Sequence, residues 1–257
     1  MELISLVSGS SGNASIVSDG HSTILVDCGM SGKALVNALS NCGKTIDDIN
    51  AVMITHEHTD HIKGVGVIAR KYGINIYGTE KTFRAMECGK INEDLLHPIN
   101  PGREYVIGDI AIHPFSTSHD AVDPVGYSFT DGHSKVSVAT DTGFLSEDMY
   151  QAIKGSNKIL LESNHDVEML KFGIYPPSLK RRILSDKGHL SNEACASIAC
   201  RLVQDGTSSI ALAHLSNENN LPDIAYLTSY NALDGIGVEV GQELRLTVAS
   251  RYDITKV

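Results

Sequence analysis

A chain of 257 residues, 42% hydrophobic and 20% charged, is long enough to bury roughly 70–75% of its unfolded surface. Its formal net charge of −10 excludes a protein that coats nucleic acid through a global positive field, but not one that reads phosphate through a local basic patch or metal ions. No apolar run approaches about 18 residues, and "MELISLVSGSSGNAS" lacks a basic leader, so neither a membrane span nor a signal peptide is expected.

Five cysteines (Cys28, Cys42, Cys88, Cys195 and Cys200) form no C-x-x-C pair. They read as reduced, mostly buried side chains of a cytoplasmic protein. With no fixed-period repeat and no linker-like stretch, residues 1–257 are expected to form one domain.

In chain order, a short strand leads into the loop "LVSGSSGNAS" (6–15). Its backbone N–H groups and hydroxyls could cradle an anion, with Ser11 and Asn13 as candidate substrate contacts, or simply turn a hairpin. Strand-type runs follow at 22–28, 51–55, 74–78, 105–107, 110–115, 125–130, 135–140, 158–163, 209–214 and within 237–249. Helical spacing occurs at 31–41, 61–72, 79–90, 146–154, 178–184, 191–205 and 220–232. The clearest helix is "SNEACASIACRLVQD", where Ser191 or Asn192 suits the N-cap and Ala196, Ile198, Ala199 and Leu202 make an apolar stripe. Strands interleave with helices, yet the early strands also come in adjacent pairs suited to hairpins. Two packed sheets with helices outside fit this mixture better than one parallel sheet.

The densest chemistry is "VMITHEHTDHIKG" (52–64). "AVMIT" is a near-continuous apolar run, as in a strand buried on both faces, and a helical pattern follows the cluster. His56 and His58 alternate in an extended segment, so both rings point one way, while Asp60 and His61 open the helix. Neutral imidazole suits Zn, Mn or Fe, and a carboxylate adds hard character. Other predicted strands deliver similar groups at their carboxyl ends: Asp27 in "STILVD", Asp141 in "VSVATD" and His214 in "SIALAH", with His119 just beyond "IAIHPF". Taken singly, His119 and His214 would pass for ordinary histidines; their repeated strand-end placement marks one rim as a site. His21, His97, His113 and His133 lack that context and read as structural or surface residues.

The order Asp27, His56-x-His58-x-Asp60-His61, His119, Asp141, His214 resembles the metallo-β-lactamase superfamily across essentially the whole chain. The resemblance implies an αββα four-layer sandwich of two mixed β-sheets with helices outside. It implies two divalent metal ions, Zn or Mn with Fe a third option: His56, His58 and His119 on one, Asp60, His61 and His214 on the other. Asp141 would bridge them, Asp27 would support the cluster, and Asp60 would also count among the catalytic groups around a metal-bridging hydroxide.

Superfamily membership does not fix the bond that is attacked. "LLESNHD" (160–166) and "GHLSNEA" (188–194) place Glu162 and His189 as in ribonuclease Z, where a Glu–His pair assists phosphodiester cleavage; His165 falls in the same segment. Lys171, Lys180, Arg181, Arg182 and Lys187 concentrate positive charge between them. That run is either a solvated helix face or a footprint for a nucleic-acid backbone, with Lys180, Arg181 and Arg182 as candidate contacts. Together with "SGSSGNAS", "NHD" and "AHLSNENN", these segments resemble the YycJ/WalJ-type branch, regarded as cytoplasmic 5′-to-3′ DNA exonucleases. The expected partner is therefore nucleic acid, DNA in preference to RNA, with no membrane. The long insertions of ribonuclease Z and of the β-CASP nucleases have no room here. The alternative of the same fold is a small-molecule phosphodiesterase or thioester hydrolase, which would not need the basic segment. A non-catalytic regulator ranks last because the ligand set is complete, and the lack of an export signal disfavours a lactamase.

Overall fold

A computed structural model describes residues 1–257. Its first sheet is built from β1 (Glu2–Val7), β2 (Ala14–Ser18), β3 (Thr23–Val26), β4 (Ile49–Met53), β5 (Asn75–Thr79) and β6 (Leu96–Ile99), paired in that order. The second comprises β7 (Tyr105–Ile107), β8 (Ile110–Ser116), β9 (Val125–Thr130), β10 (Lys135–Ala139), β11 (Lys158–Glu162), β12 (Ser209–Ala213) and β13 (Arg245–Val248), also in order. β14 (Thr255–Lys256) returns to pair with β1, so each sheet has seven strands. Both are mixed: β1–β3 and β7–β10 run antiparallel, whereas β3–β6 and β10–β13 run parallel.

The two-residue period of the strands sorts apolar side chains into separate cores. Ile24, Val26 and Met53 of the first sheet meet Tyr127, Phe129, Val138, Leu160 and Ala211 of the second in the central layer. The intervening Leu25 and Val52 face outward and pack under α1 (Gly32–Asn41) and α3 (Val65–Tyr72). In the second sheet Ile159, Leu161, Ile210 and Leu212 turn outward beneath α5 (Glu147–Ile153), α8 (Asn192–Gln204) and α9 (Pro222–Asp234). The architecture is helix, sheet, sheet, helix.

The helical pattern over 61–72 is divided into α2 (Thr59–Ile62) and α3. Gly64 lies at the break, its N–H donating to Cys28 O at 2.8 Å, and a Cβ there would strike Met30 O and the Cys28 sulfur. The expected helix at 79–90 stops early, as α4 (Glu80–Ala85). Strands β2, β6 and β14 and helix α6 (Val167–Phe172) were not expected from the sequence. β6 carries Pro98 and sits at a sheet edge, where a missing N–H costs no ladder bond. α7 (Pro177–Ile183) starts on Pro177 within its first turn. No helix is long and apolar enough to cross a membrane.

Candidate metal centre

The parallel strands β3, β10 and β12 end on the same rim, each followed within two residues by a polar residue in left-handed backbone: Asp27 (φ 58°), Asp141 (φ 57°) and His214 (φ 56°). These are the molecule's only non-glycine residues with positive φ. Such a conformation costs roughly 1–2 kcal/mol for an L-residue, so three at one place trade stability for the aim of the side chains. Across the gap, Val125 N–H donates to Thr55 O at 3.0 Å and the Tyr127 hydroxyl donates to Ile54 O, tying the end of β4 to the second sheet.

These strand ends bring together all seven expected ligands. His56 Nε2 lies 3.0 Å from His58 Nδ1, which lies 3.3 Å from His119 Nε2. His61 Nε2 lies 3.4 Å from Asp141 Oδ2 and 3.6 Å from Asp60 Oδ2, and His214 Nε2 lies 3.7 Å from that same Asp60 oxygen. The donor atoms of His56, His58 and His119 lie within 4.8 Å of one another, as do those of Asp60, His61 and His214. Asp141 lies between the two trios: its Oδ1 is 3.8 Å from His119 Nε2 and its Oδ2 is 3.4 Å from His61 Nε2.

Four of the rings have an outer partner that fixes which nitrogen faces inward. His56 Nδ1–H donates to Thr55 Oγ1 (2.9 Å), His61 Nδ1–H to Asp27 Oδ2 (2.7 Å), His119 Nδ1–H to Gly188 O (3.2 Å) and His214 Nδ1–H to Glu162 Oε1 (2.8 Å). Thr55 in turn donates its hydroxyl to Asp27 Oδ2 and its N–H to Asp27 Oδ1, both at 2.8 Å. Thr55 therefore holds His56 directly and His61 through Asp27, a role sequence reading missed; its position between the strand and His56 was the available signal.

The inward atoms fit a cation. Asp141 Oδ2 and His214 Nε2 are buried with no hydrogen-bond partner in the protein, an arrangement that costs free energy unless something else meets them. Burial, joined by repulsion from neighbouring rings, drives His56 well below the usual histidine range, and burial also lowers His119, so these two rings offer neutral nitrogens. On the other side burial opposes charge on His61, but the Asp141 and Asp27 carboxylates outweigh it and raise the ring to about 9. His214 rises likewise beside Asp141, Asp60 and Glu162, against its own burial. Burial would raise Asp60, yet His214 and His61 hold it well below the carboxylate range. The carboxylates thus demand positive charge, from protons or from metal ions. Burial pushes the Cys28 and Cys195 thiols up to about 12, and neither stands among the clustered ligand atoms.

A cavity of about 250 Å³ opens over the cluster, and His58, Asp60, His119, Asp141, His189 and His214 contribute to its wall. Glu162, expected among the catalytic groups, is fully buried. Its Oε1 accepts from His189 and His214, and its Oε2 accepts from the N–H groups of Thr142 (2.9 Å) and Leu190 (3.2 Å). Both of its oxygens are thus engaged by protein groups, and Glu162 itself does not contribute to the cavity wall. His189 itself lines the cavity with 18% of its side chain exposed.

The expected substrate contacts are distributed unevenly. Ser11 is exposed and away from the cavity, whose wall is reached instead by Ser10. Asn13 is buried against the ligands, its Nδ2 lying 3.1 Å from His61 Nε2 and 3.4 Å from Asp60 Oδ2. His165 is buried off the cavity wall, and neither ring nitrogen has a hydrogen-bond partner. Lys180 Nζ donates to the backbone carbonyls of Lys171 and Gly173. Arg181 is exposed and unpaired, and Arg182 lines the cavity and pairs with Asp120. Asp120, Tyr175 and Asn164 also reach the cavity and were not singled out in the sequence, because none lies in a metal-ligand spacing.

The β-lactamase superfamily domain matches residues 22–212. The chain is similar to exodeoxyribonuclease YycJ of Bacillus anthracis, 43% identical over 243 residues that cover 94% of this chain and 92% of that one. It is similar to exodeoxyribonuclease WalJ of Streptococcus pneumoniae, 42% identical over 245 residues, 94% of this chain and 91% of the other. Its backbone matches the metallo-β-lactamase fold protein YhfI from Bacillus subtilis with a TM-score of 0.71 over 100% of both chains, a likeness of fold at 17% identity. With the domain matched over most of the chain and relatives matched nearly end to end, the chain belongs to the β-lactamase superfamily of metal-dependent hydrolases.

Proposed function

We propose that the chain is a two-metal phosphodiesterase that acts on nucleic acid, as a 5′-to-3′ DNA exonuclease of the cytoplasm. The observation that carries this reading is the Glu162–His189 pair beside the metal-binding cluster, at 2.8 Å. A positioned acid next to two cation sites is suited to expelling an alkoxide from a phosphodiester. The names of the two full-length relatives support DNA as the substrate.

His56, His58 and His119 would hold one ion, Asp60, His61 and His214 the other, with Asp141 between them. When bound, the ions supply Lewis acidity to the phosphoryl oxygens and a nucleophile at neutral pH. The chain's own groups do the rest. Glu162 holds His189 by Nδ1, which leaves Nε2 to deliver a proton to the departing oxygen. Arg182 at the rim orients the scissile phosphate or its neighbour, and Asp120 limits where its guanidinium can swing. Tyr175 and Leu179 wall the cavity against water on the same side.

The test is a substrate panel: protein loaded with Mn, Zn or Mg, offered DNA and RNA with 5′-phosphates, cyclic nucleotides and a thioester. Release of mononucleotides from the 5′ end of DNA is the expected result. Activity confined to the thioester or cyclic nucleotides would overturn it.

A further inference from the structure

Phe172 and Ile174 are 84% and 86% exposed, whereas Leu170 on the same helix is fully buried. They flank Gly173 at the turn from α6 into α7. Two large apolar side chains left in water this close together mark a contact surface.

The turn is built to present them. Lys180 Nζ donates to Lys171 O at 2.8 Å and to Gly173 O at 2.7 Å, bracketing Phe172. Asp166 caps α6, its Oδ1 accepting from Met169 N at 2.7 Å, while its own N–H donates to Asn219 O at 2.9 Å. A Cβ on Gly173 would collide with Met169 O and Asn219 Oδ1, so the chain is pinned there. Lys180 is thus spent on holding the tip, and the cations left unpaired on this arm are Arg181 and Lys187; Lys171 is paired with Glu168 at 3.0 Å. The same arm runs directly into the site, since Tyr175, Leu179, Arg182 and Ile183 line the metal-centre cavity.

We propose that this tip is a stacking platform for the unpaired bases of a single nucleic-acid strand. Phe172 takes a base face, Ile174 packs beside it, and phosphates of the same strand lie toward Arg181 and Lys187. An exposed aromatic on an arm that also carries two unpaired cations and lines the metal-centre cavity matches the chemistry of such a strand, whose bases all offer a π-face. The inference rests on the nucleic-acid reading above. A second copy of this chain suits the tip less well: two side chains fall far short of the roughly 800 Å² per partner of a stable interface, and the cations would face their own copies.

The chain contains no tryptophan, so Phe172→Trp places a single indole reporter at the tip. It is titrated with a phosphorothioate oligothymidylate, which resists hydrolysis, and with an abasic oligomer of equal length and charge. The thymidylate should quench the indole and the abasic strand should not. Phe172→Ala should weaken thymidylate binding by roughly 5- to 100-fold and erase the preference over the abasic strand, with the salt slope kept. Equal quenching by both strands, or an Ala variant that still prefers thymidylate as the wild type does, overturns the platform while leaving the nuclease reading intact. A dimer that Phe172→Ala dissociates, at unchanged affinity for thymidylate, assigns the tip to self-association and overturns it too. A wild-type protein that binds neither strand, and cleaves no DNA or RNA in the substrate panel, removes the nuclease reading itself.

Discussion

Glu162 Oε1 stands 2.8 Å from His189 Nδ1 and 2.8 Å from His214 Nδ1, so one buried oxygen serves a ring in the cavity wall and a ring of the metal cluster. The carboxylate is held far below its usual range: burial opposes its charge, and the two histidines more than offset that. The consequence is an asymmetry between the two members of the pair.

His189→Ala should keep both metal ions and the fold, because His189 belongs to neither ligand trio. Turnover on DNA should fall by roughly 10²–10⁴-fold, the usual scale for a general acid. The loss should be smallest on a nitrophenyl phosphodiester, whose leaving group needs no proton. Glu162→Gln should do more: it slackens His214 as well, and metal affinity should drop by roughly 10–100-fold. Metal analysis alongside steady-state rates separates the two. A His189→Ala protein that loses metal, or that cleaves DNA at the wild-type rate, sinks the assignment.

Asp141→Asn should abolish tight metal binding and activity together, since one carboxylate oxygen lies 3.8 Å from His119 Nε2 of one trio and the other 3.4 Å from His61 Nε2 of the second. Fully loaded wild-type protein should contain two ions per chain; one or none would count against the shared carboxylate. Affinity should also depend on pH with a definite sign. Without metal, carboxylates hold His61 protonated up to about 9, and the ion must displace that proton. Chelator competition should therefore show affinity rising from about pH 7 toward about pH 9. A flat profile would mean that no proton leaves His61 when the ion binds.

Much of this centre was legible because strands deliver ligands at their ends. The runs ending in Asp27, Asp141 and His214 could be read as strands from apolar content alone, and their polar last residues stood out. What the sequence could not show was direction. Ser11 and Asn13 looked equivalent within one loop, yet Asn13 turns inward onto Asp60 and His61 while Ser11 faces solvent. Lys180, Arg181 and Arg182 read as one basic run, but a helix spreads consecutive residues about 100° apart. One therefore holds a turn, one is free, and one guards the cavity. The contacts of Thr55 and Gly188 with the ligand rings depend on long-range packing that no local pattern encodes.

Those separate fates predict different phenotypes within the run. Arg181→Ala should lower the dependence of DNA affinity on salt by about one phosphate contact, a change of roughly 0.7–0.9 in the log–log slope. Arg182→Ala should instead slow cleavage, because it also frees Asp120, whose Oδ1 lies 3.4 Å from His119 Nε2. An unchanged salt slope in Arg181→Ala would return that side chain to ordinary solvated surface.

His165 supplies a stability prediction separate from catalysis. The residue is 2% exposed, its ring nitrogens are unpartnered, and burial lowers it to about 4 despite the opposing pull of Glu162. The unfolded chain takes up this proton near pH 6.5, the folded chain only near pH 4. Between those values the unfolded state binds more protons, so stability must fall as pH drops through the window, by at most about 3 kcal/mol. His165→Leu removes the titrating group at similar volume and leaves no buried nitrogen unmet. Chemical denaturation of both proteins across about pH 7 to pH 4 isolates the difference, because contributions from the metal cluster are common to both. The variant should gain on the wild type as pH falls. Parallel curves would show that His165 finds a partner for its proton in the folded state.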